Sequence, residues 1–323
     1  MQTISEEQII FFDEQGYLLV KGLLSPKEDL DPVIKEYGMV LDSLASELHQ
    51  KGEIVSAYEE LPFGERITKI YAESGKVHGQ YFDFSLPQGG VKKNTPFWCG
   101  PAVFRVMTNP NLLDAVEKFI GPEIYSNPVG HVRIKPPEAQ TPINPDTGRV
   151  QLGKTPWHED NGVVTEEADA TDMLTVWFSL GEATVEQGCL AVIPKSHRDG
   201  LLHHCPDIWG LEIPEKICDR STMVPIPTEP GDVLFLHKHT CHSSLQNLSD
   251  IIRWSFDLRY NPIGQATGRN AFPGFVARSH FNPGQVLTDP LTWHQMWEEA
   301  RDSLAISDDP AFNRWSKDHP VCA

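Results

Sequence analysis

Thr155-Pro156-Trp157-His158-Glu159-Asp160-Asn161 is the stretch on which the reading of this chain turns. If residues 157–160 are extended, alternate side chains point the same way, so His158 and Asp160 share one face and Glu159 takes the other. An imidazole and a carboxylate two residues apart can occupy adjacent corners of one metal ion. A second histidine from elsewhere would complete the two-histidine, one-carboxylate set that holds iron(II). The spacing by itself is also that of an ordinary polar strand end, so the reading depends on what the rest of the chain supplies.

The complement lies between Gly231 and Tyr260. Gly231-Asp232 punctuates, 233–236 is a short apolar run, and His237, His239 and His242 follow within one loop. Each of the three is a candidate for the distal ligand. Residues 251–260 then alternate: Ile251, Arg253, Ser255, Asp257 and Arg259 on one face, Ile252, Trp254, Phe256 and Leu258 on the other. Were the charged face turned into a barrel, Arg253 would be a buried cation wanting a carboxylate, which a dicarboxylic co-substrate would supply bidentately. Were it turned outward, these would be ordinary surface arginines.

Taken in order, these features and the strands between them resemble a known family. The set is His158-x-Asp160, then Leu174-Thr175-Val176-Trp177-Phe178-Ser179-Leu180, then Glu186-Gln187-Gly188-Cys189-Leu190-Ala191-Val192-Ile193-Pro194-Lys195-Ser196-His197, then His242-x-Ser244 with Asn247 and Arg253. It resembles the phytanoyl-CoA dioxygenase family of iron(II)- and 2-oxoglutarate-dependent oxygenases over about residues 6–260. The resemblance implies a mainly β fold with flanking helices, its core a double-stranded β-helix (a cupin-like jelly roll).

It also implies that iron is held by His158, Asp160 and His242. The choice of His242 over its two neighbours rests on the Ser-Ser-Leu-Gln-Asn that follows it and on the spacing to Arg253. Arg253 is then assigned to the distal carboxylate of 2-oxoglutarate and Ser244 to the same co-substrate. Trp177 and Lys135 sit where family members line that pocket; Trp177 reads equally as core packing and Lys135 as a solvated edge. Asp160 stands where halogenating relatives carry a small residue, which points to oxygen insertion. Asn161 is read as a substrate contact, and Arg259 either meets an acidic substrate group or pairs with Asp257.

Length and composition bound the rest. The chain has 323 residues, 40 % of them hydrophobic, enough for one large domain with a substantial core. We read 1–323 as a single domain: 1–50 an amino-terminal strand and outer helices, 51–100 a lid over the mouth or a minor core of aromatics, 120–262 the jelly roll with the metal site, and 263–323 an extension. A net charge of −18 repels polyphosphate surfaces and weighs against nucleic acid. No apolar run approaches the ~20 residues of a membrane span, and no basic-then-apolar leader opens the chain. The six cysteines show no Cys-x-x-Cys pair and read as reduced, mostly buried thiols of a cytoplasmic protein. Ser5 with Gln8 forms a capping box before a short helix that Gly16 stops; Ser25-Pro26 opens a longer one with an apolar stripe from Leu30 to Leu48. Between His197 and Pro230 an insertion carries His203, His204, Trp209 and Met223 toward the mouth. The adjacent pair His203-His204 is not taken as a metal pair, because neighbours on a strand face opposite sides.

The resulting expectation is an iron(II)- and 2-oxoglutarate-dependent dioxygenase, with O2 as second co-substrate. It would hydroxylate an unactivated C–H of a small organic metabolite and release succinate and CO2. Desaturation, cyclisation or epimerisation with the same cofactors is the alternative. From other classes, a catalytically silent jelly-roll binding protein and a zinc hydrolase remain. Monomer and homodimer are both open.

Overall fold

The computed structural model describes residues 4–207, 210–308 and 310–323. Trp209, read above as part of a wall of the mouth, lies outside the described residues.

Strands appear where β-branched and aromatic residues cluster between turn residues. They are β1 (Tyr17–Val20), β2 (Ile124–Lys135), β3 (Thr155–His158), β4 (Leu174–Ser179), β5 (Leu190–Val192), β6 (Cys205–Asp207), β7 (Gly210–Glu212), β8 (Val224–Ile226), β9 (Val233–His237), β10 (His242–Ser244), β11 (Arg253–Pro262) and β12 (Phe275–Arg278). The major sheet runs β1-β9-β4-β11-β2-β12, the minor one β3-β10-β5-β8, and β6 pairs with β7. Every strand pairing among the described residues is antiparallel. The two sheets face each other as the halves of a jelly roll.

The alternation along β11 decides what lies inside. Trp254, Phe256, Leu258 and Tyr260 join the main hydrophobic core outside the barrel, whereas Arg253, Ser255 and Arg259 are buried on the inner face. Phe256 stacks on Phe178 of β4 with ring centroids 5.3 Å apart, and each such side chain contributes roughly 1.5–3 kcal/mol by leaving water.

The helices cover that outer face. Ser5 and Gln8 close the capping box of α1 (Glu6–Gln15), and Gly16 ends the helix at φ 82°. Pro26–Leu30 forms a wide π turn that continues into α2 (Asp31–Gln50), whose buried stripe includes Val33, Tyr37, Leu41, Leu44 and Leu48. Pro32 falls in the first turn of α2, where a missing N–H is tolerated. Next come α3 (Phe63–Ser74), α4 (Pro101–Met107), α5 (Pro110–Ile120) and, late in the chain, α6 (Pro290–Leu304).

Of the aromatics between 51 and 100, Phe82 stacks on Tyr37 and Phe84 packs against Trp293 and Trp297 of α6. They fill the core between helices and sheet rather than cover the mouth, because their partners are the apolar outer positions of the barrel. Gln88 in the same segment does reach the cavity beside the inner histidines.

One expectation about the cysteines is overturned. Cys205 and Cys322, 117 residues apart, form a disulfide, since the carboxy-terminal tail folds back over β6, an approach that spacing could not reveal. Cys99, Cys189, Cys218 and Cys241 are free and buried. Among the described residues no helix is long and apolar enough to cross a membrane.

Candidate metal centre

Antiparallel pairing of β3 with β10 sets His158 opposite His242, and their ring centroids are 4.2 Å apart. The strand stops at His158. Glu159 stays extended (φ −113°, ψ 144°) and Asp160 starts a 3-10 turn, Asp160–Val163, so Asp160 returns to the side of His158. His158 Nε2 lies 4.0 Å from Asp160 Oδ1, and His242 Nε2 lies 3.9 Å from Oδ2. One ligand atom from each of the three residues falls within 4.8 Å of the others.

The histidines are oriented for a metal. Nδ1 of His158 donates to the Pro156 carbonyl at 2.8 Å, and Nδ1 of His242 to the Thr240 carbonyl at 2.9 Å. Each bond turns an Nε2 lone pair toward Asp160 and fixes that tautomer. Burial, reinforced by His242, holds His158 well below the ordinary histidine range, so it stays neutral. Burial also opposes the charge on Asp160, but Arg259, His242 and His158 together outweigh it and hold the carboxyl below its usual range. Two imidazole nitrogens and one carboxylate oxygen are the donor set that iron(II) takes.

Asp160 is held from both sides. Arg259 Nη2 donates to Oδ1 and the Thr175 hydroxyl to Oδ2. Arg259 also donates to the Val129 carbonyl at 3.0 Å and reaches Asp257 at 3.4 Å. The expected pairing with Asp257 is therefore present, the nearer partner is the metal carboxylate, and Arg259 also borders a cavity beside His158. Replacing Arg259 by glutamine is expected to lower iron(II) affinity by about 10- to 100-fold, the usual consequence of losing a partner of a ligand. Anaerobic iron titration checks this, and lysine should restore part of the affinity.

Asn161 also departs from expectation. It is fully buried and donates to Asp169 at 3.2 Å, because the 3-10 turn carries it away from the cavities. Val163 is the turn residue that lines the space beyond His158. Gly162 is forced by its neighbour: a Cβ there would lie 2.1 Å from the His204 ring. That ring is itself fixed, accepting from the Glu159 N–H at 3.0 Å and donating to the Leu202 carbonyl at 2.9 Å. Gly162→Ala is accordingly expected to destabilise the apo protein by about 1–3 kcal/mol, read from urea unfolding.

Arg253 is 1 % exposed, and Nε and Nη2 are buried with no hydrogen-bond partner among the described residues. Its one side-chain bond runs to Ser255 Oγ. Burial, with Arg133 nearby, pulls its guanidinium down to about 10, still charged at neutral pH. It borders a narrow cavity with His158, His242, Trp177 and Ser244. Trp177 lies under the guanidinium at 5.8 Å, so it is at once core and cavity wall.

Ser244 and Lys135 are placed differently from the expectation. Lys135 Nζ donates to Ser244 Oγ at 2.9 Å and to the Leu245 carbonyl at 2.8 Å. Ser244 Oγ also accepts from the Thr155 N–H at 3.0 Å and donates to Thr155 Oγ1 at 2.8 Å. A hydroxyl has one donor and two lone pairs, so Ser244 has none left for a co-substrate; the pair instead braces the wall that Arg253 faces. His237 and His239 pack against each other, and His237 packs on His197 at 5.0 Å, outside the triad.

Several contributors escaped the sequence reading. Thr175 shares a strand face with Trp177, a signal alternation offered. Glu159 is buried, accepts from the Leu202 N–H at 2.9 Å and is pushed up to about 8 by burial. Arg133 borders both the narrow cavity and a second one of about 220 Å3, which Gln88, His131, Val163 and Arg269 also line.

A family model described as phytanoyl-CoA dioxygenase (PhyH) matches residues 12–255. The chain belongs to the phytanoyl-CoA dioxygenase family. Phytanoyl-CoA dioxygenase domain-containing protein 1 of Bos taurus is 24 % identical over 274 residues, which is 79 % of this chain and 89 % of that protein. The peroxisomal phytanoyl-CoA dioxygenase of Bos taurus is 24 % identical over 267 residues, 78 % of this chain and 66 % of its own. The non-heme monooxygenase ThoJ in its apo form shares the fold with a TM-score of 0.53 at 17 % identity, over 91 % of this chain and 98 % of that one. As a phytanoyl-CoA dioxygenase-family oxidoreductase the protein uses iron(II), 2-oxoglutarate and O2. The two converging imidazoles, the ionised Asp160 and the incompletely paired Arg253 guanidinium fit those groups.

Proposed function

We propose that the protein hydroxylates an unactivated C–H of a small organic metabolite, coupled to decarboxylation of 2-oxoglutarate to succinate and CO2. The observation that carries this reading is the buried, half-unpaired guanidinium of Arg253 in the same cavity as His158 and His242. A dicarboxylate co-substrate would meet that cation bidentately while its other end reaches the metal ligands.

His158, Asp160 and His242 would hold the iron, which together with 2-oxoglutarate and O2 supplies the oxidation. Arg259 and Thr175 keep Asp160 ionised and aimed. Arg253 sets the co-substrate's far end, and Trp177, Leu190 and Leu236 keep water from that side. The 220 Å3 cavity beyond His158 has the size for a small substrate, with Arg133 and Arg269 supplying cations and Asp257 an anion. The four buried free thiols suit the cytoplasm, whereas the Cys205–Cys322 disulfide suits an oxidising compartment.

The test is anaerobic addition of iron(II) and 2-oxoglutarate, watching for the visible metal-to-keto-acid band, then oxygen uptake and succinate release across a metabolite library. A product heavier by one oxygen atom supports hydroxylation. Loss of two hydrogens or an unchanged mass redirects the assignment to desaturation or epimerisation, and no band with tight zinc binding would sink the oxygenase reading.

A further inference from the structure

The carboxy-terminal tail crosses the back of the metal centre. Arg314 Nη2 donates to the Asn161 carbonyl at 2.8 Å and Nη1 meets Asp169 at 2.5 Å; Trp315 Nε1 donates to the Gly162 carbonyl at 2.6 Å. The tail thus bears on the very turn that presents Asp160. What clasps it is a cluster of sulfur and imidazole groups that the oxygenase chemistry does not use.

His203 and Cys205 are two residues apart where the chain enters β6, so their side chains emerge on one side. His319 and Cys322 are three apart, His319 capping the 3-10 turn Pro320–Cys322. The two pairs meet. Cys205 and Cys322 are disulfide-bonded, with Cα atoms 5.6 Å apart. A ring nitrogen of His203 lies within 4.8 Å of both sulfurs, and the His203 and His319 rings stack at 3.9 Å. Trp315 packs edge-on to His203 at 4.7 Å. Among the described residues His203 Nε2 is buried with no hydrogen-bond partner, and His319 Nδ1 accepts from the Val321 N–H at 3.2 Å, so Nδ1 carries the lone pair that turning toward the sulfurs would free from that bond.

We propose that the reduced form of this clasp is a zinc site, ligated by the thiolates of Cys205 and Cys322 and by His203, with His319 turning in as fourth ligand. A disulfide alone needs neither imidazole nor a buried nitrogen without a partner. Two sulfurs and two nitrogens make the tetrahedral set that zinc prefers, and thiolate ligands select it over the hard cations. The His203, Cys205 and Cys322 side chains are only half-buried, so a metal has access.

Passage between the two forms balances with a dithiol reductant. One of its thiolates attacks a sulfur of the pair, the Cys205–Cys322 bond breaks, and the reductant leaves as its own disulfide, having delivered two electrons and two protons. Zinc then displaces the two thiol protons. In an oxidising compartment the tail is held by the disulfide and in a reducing one by the metal, so the 160–163 turn keeps its brace in both.

The experiment uses the full chain, stripped of metal and divided into dithiothreitol-reduced and diamide-oxidised portions, each titrated anaerobically with cobalt(II) and then zinc. Reduced protein is expected to take up one more ion per chain than oxidised protein, with an intense thiolate-to-cobalt absorption that zinc quenches. The histidine–carboxylate centre has no sulfur and cannot give that absorption. Cys322→Ser should lose the extra ion in the reduced state. His203→Ala should still form the disulfide on oxidation, which shows that it folds, yet hold the extra ion at least about tenfold more weakly when reduced. Equal stoichiometry in the two states, or cysteines 205 and 322 alkylated as fast with zinc as without, would overturn the proposal. So would an absorption that survives Cys322→Ser, or a reduced chain that unfolds even with zinc present.

Discussion

Exchanging Asp160 for alanine is expected to bring iron-dependent succinate formation to background and to weaken iron(II) binding by more than about 100-fold, beyond what losing a supporting residue does. Asp160 is the one anionic member of the triad and lies fully buried beside both imidazoles. Its loss has a second effect. Arg259 would keep only Asp257, at 3.4 Å, as a charged partner, and breaking a buried ion pair from one side costs about 3–5 kcal/mol. Asp160→Asn separates the two effects, because the amide preserves the volume and still accepts from Thr175 while carrying no charge. The alanine variant should melt earlier than the asparagine variant without metal, and neither should support turnover. Calorimetric iron titration and thermal unfolding of the apo forms supply the measurements; an alanine variant that binds iron as the parent does would remove Asp160 from the site.

Which residues share a face could be read from the sequence; whether that face points inward, and which side chains meet there, could not. Period-two alternation placed Arg253, Ser255, Asp257 and Arg259 together, and the structure turns that face into the barrel. The register His158 opposite His242 separates His242 from His237 and His239, which local spacing left equivalent. The pairing of Arg259 with Asp160 spans 99 residues, and that of Cys205 with Cys322 spans 117. No periodicity encodes such distances. Asn161 was misread for a different reason: the strand was continued through Asp160, whereas the chain coils into a 3-10 turn there, and each residue past the turn swings to a new direction. Ser244 and Lys135 were placed in the right neighbourhood, but only the atoms show that they satisfy each other.

Arg253→Ala should behave in the opposite sense to Asp160→Ala. The guanidinium is already an incompletely paired buried cation in the apo protein, with two of its three nitrogens lacking partners. Removing it relieves a desolvation cost rather than creating one, so the apo variant is expected to melt no earlier than the parent. Affinity for 2-oxoglutarate should nevertheless fall by about 100-fold, because a buried carboxylate without its charged partner loses some 2–5 kcal/mol and each 1.4 kcal/mol is about tenfold. Neither neighbouring cation replaces it: Lys135 is committed to Ser244 and the Leu245 carbonyl, and Arg133 lies toward the second cavity as well as this one. Lysine at 253 restores a charge without the planar fork, so Arg253→Lys should fall between parent and alanine. Titrating 2-oxoglutarate into the anaerobic iron(II) protein and following the charge-transfer band gives the affinity. The stabilisation that saturating 2-oxoglutarate confers on the parent should be absent from the alanine variant at the same concentration. An alanine variant that binds 2-oxoglutarate unchanged, with iron affinity intact, would show that the co-substrate's far carboxylate is anchored elsewhere.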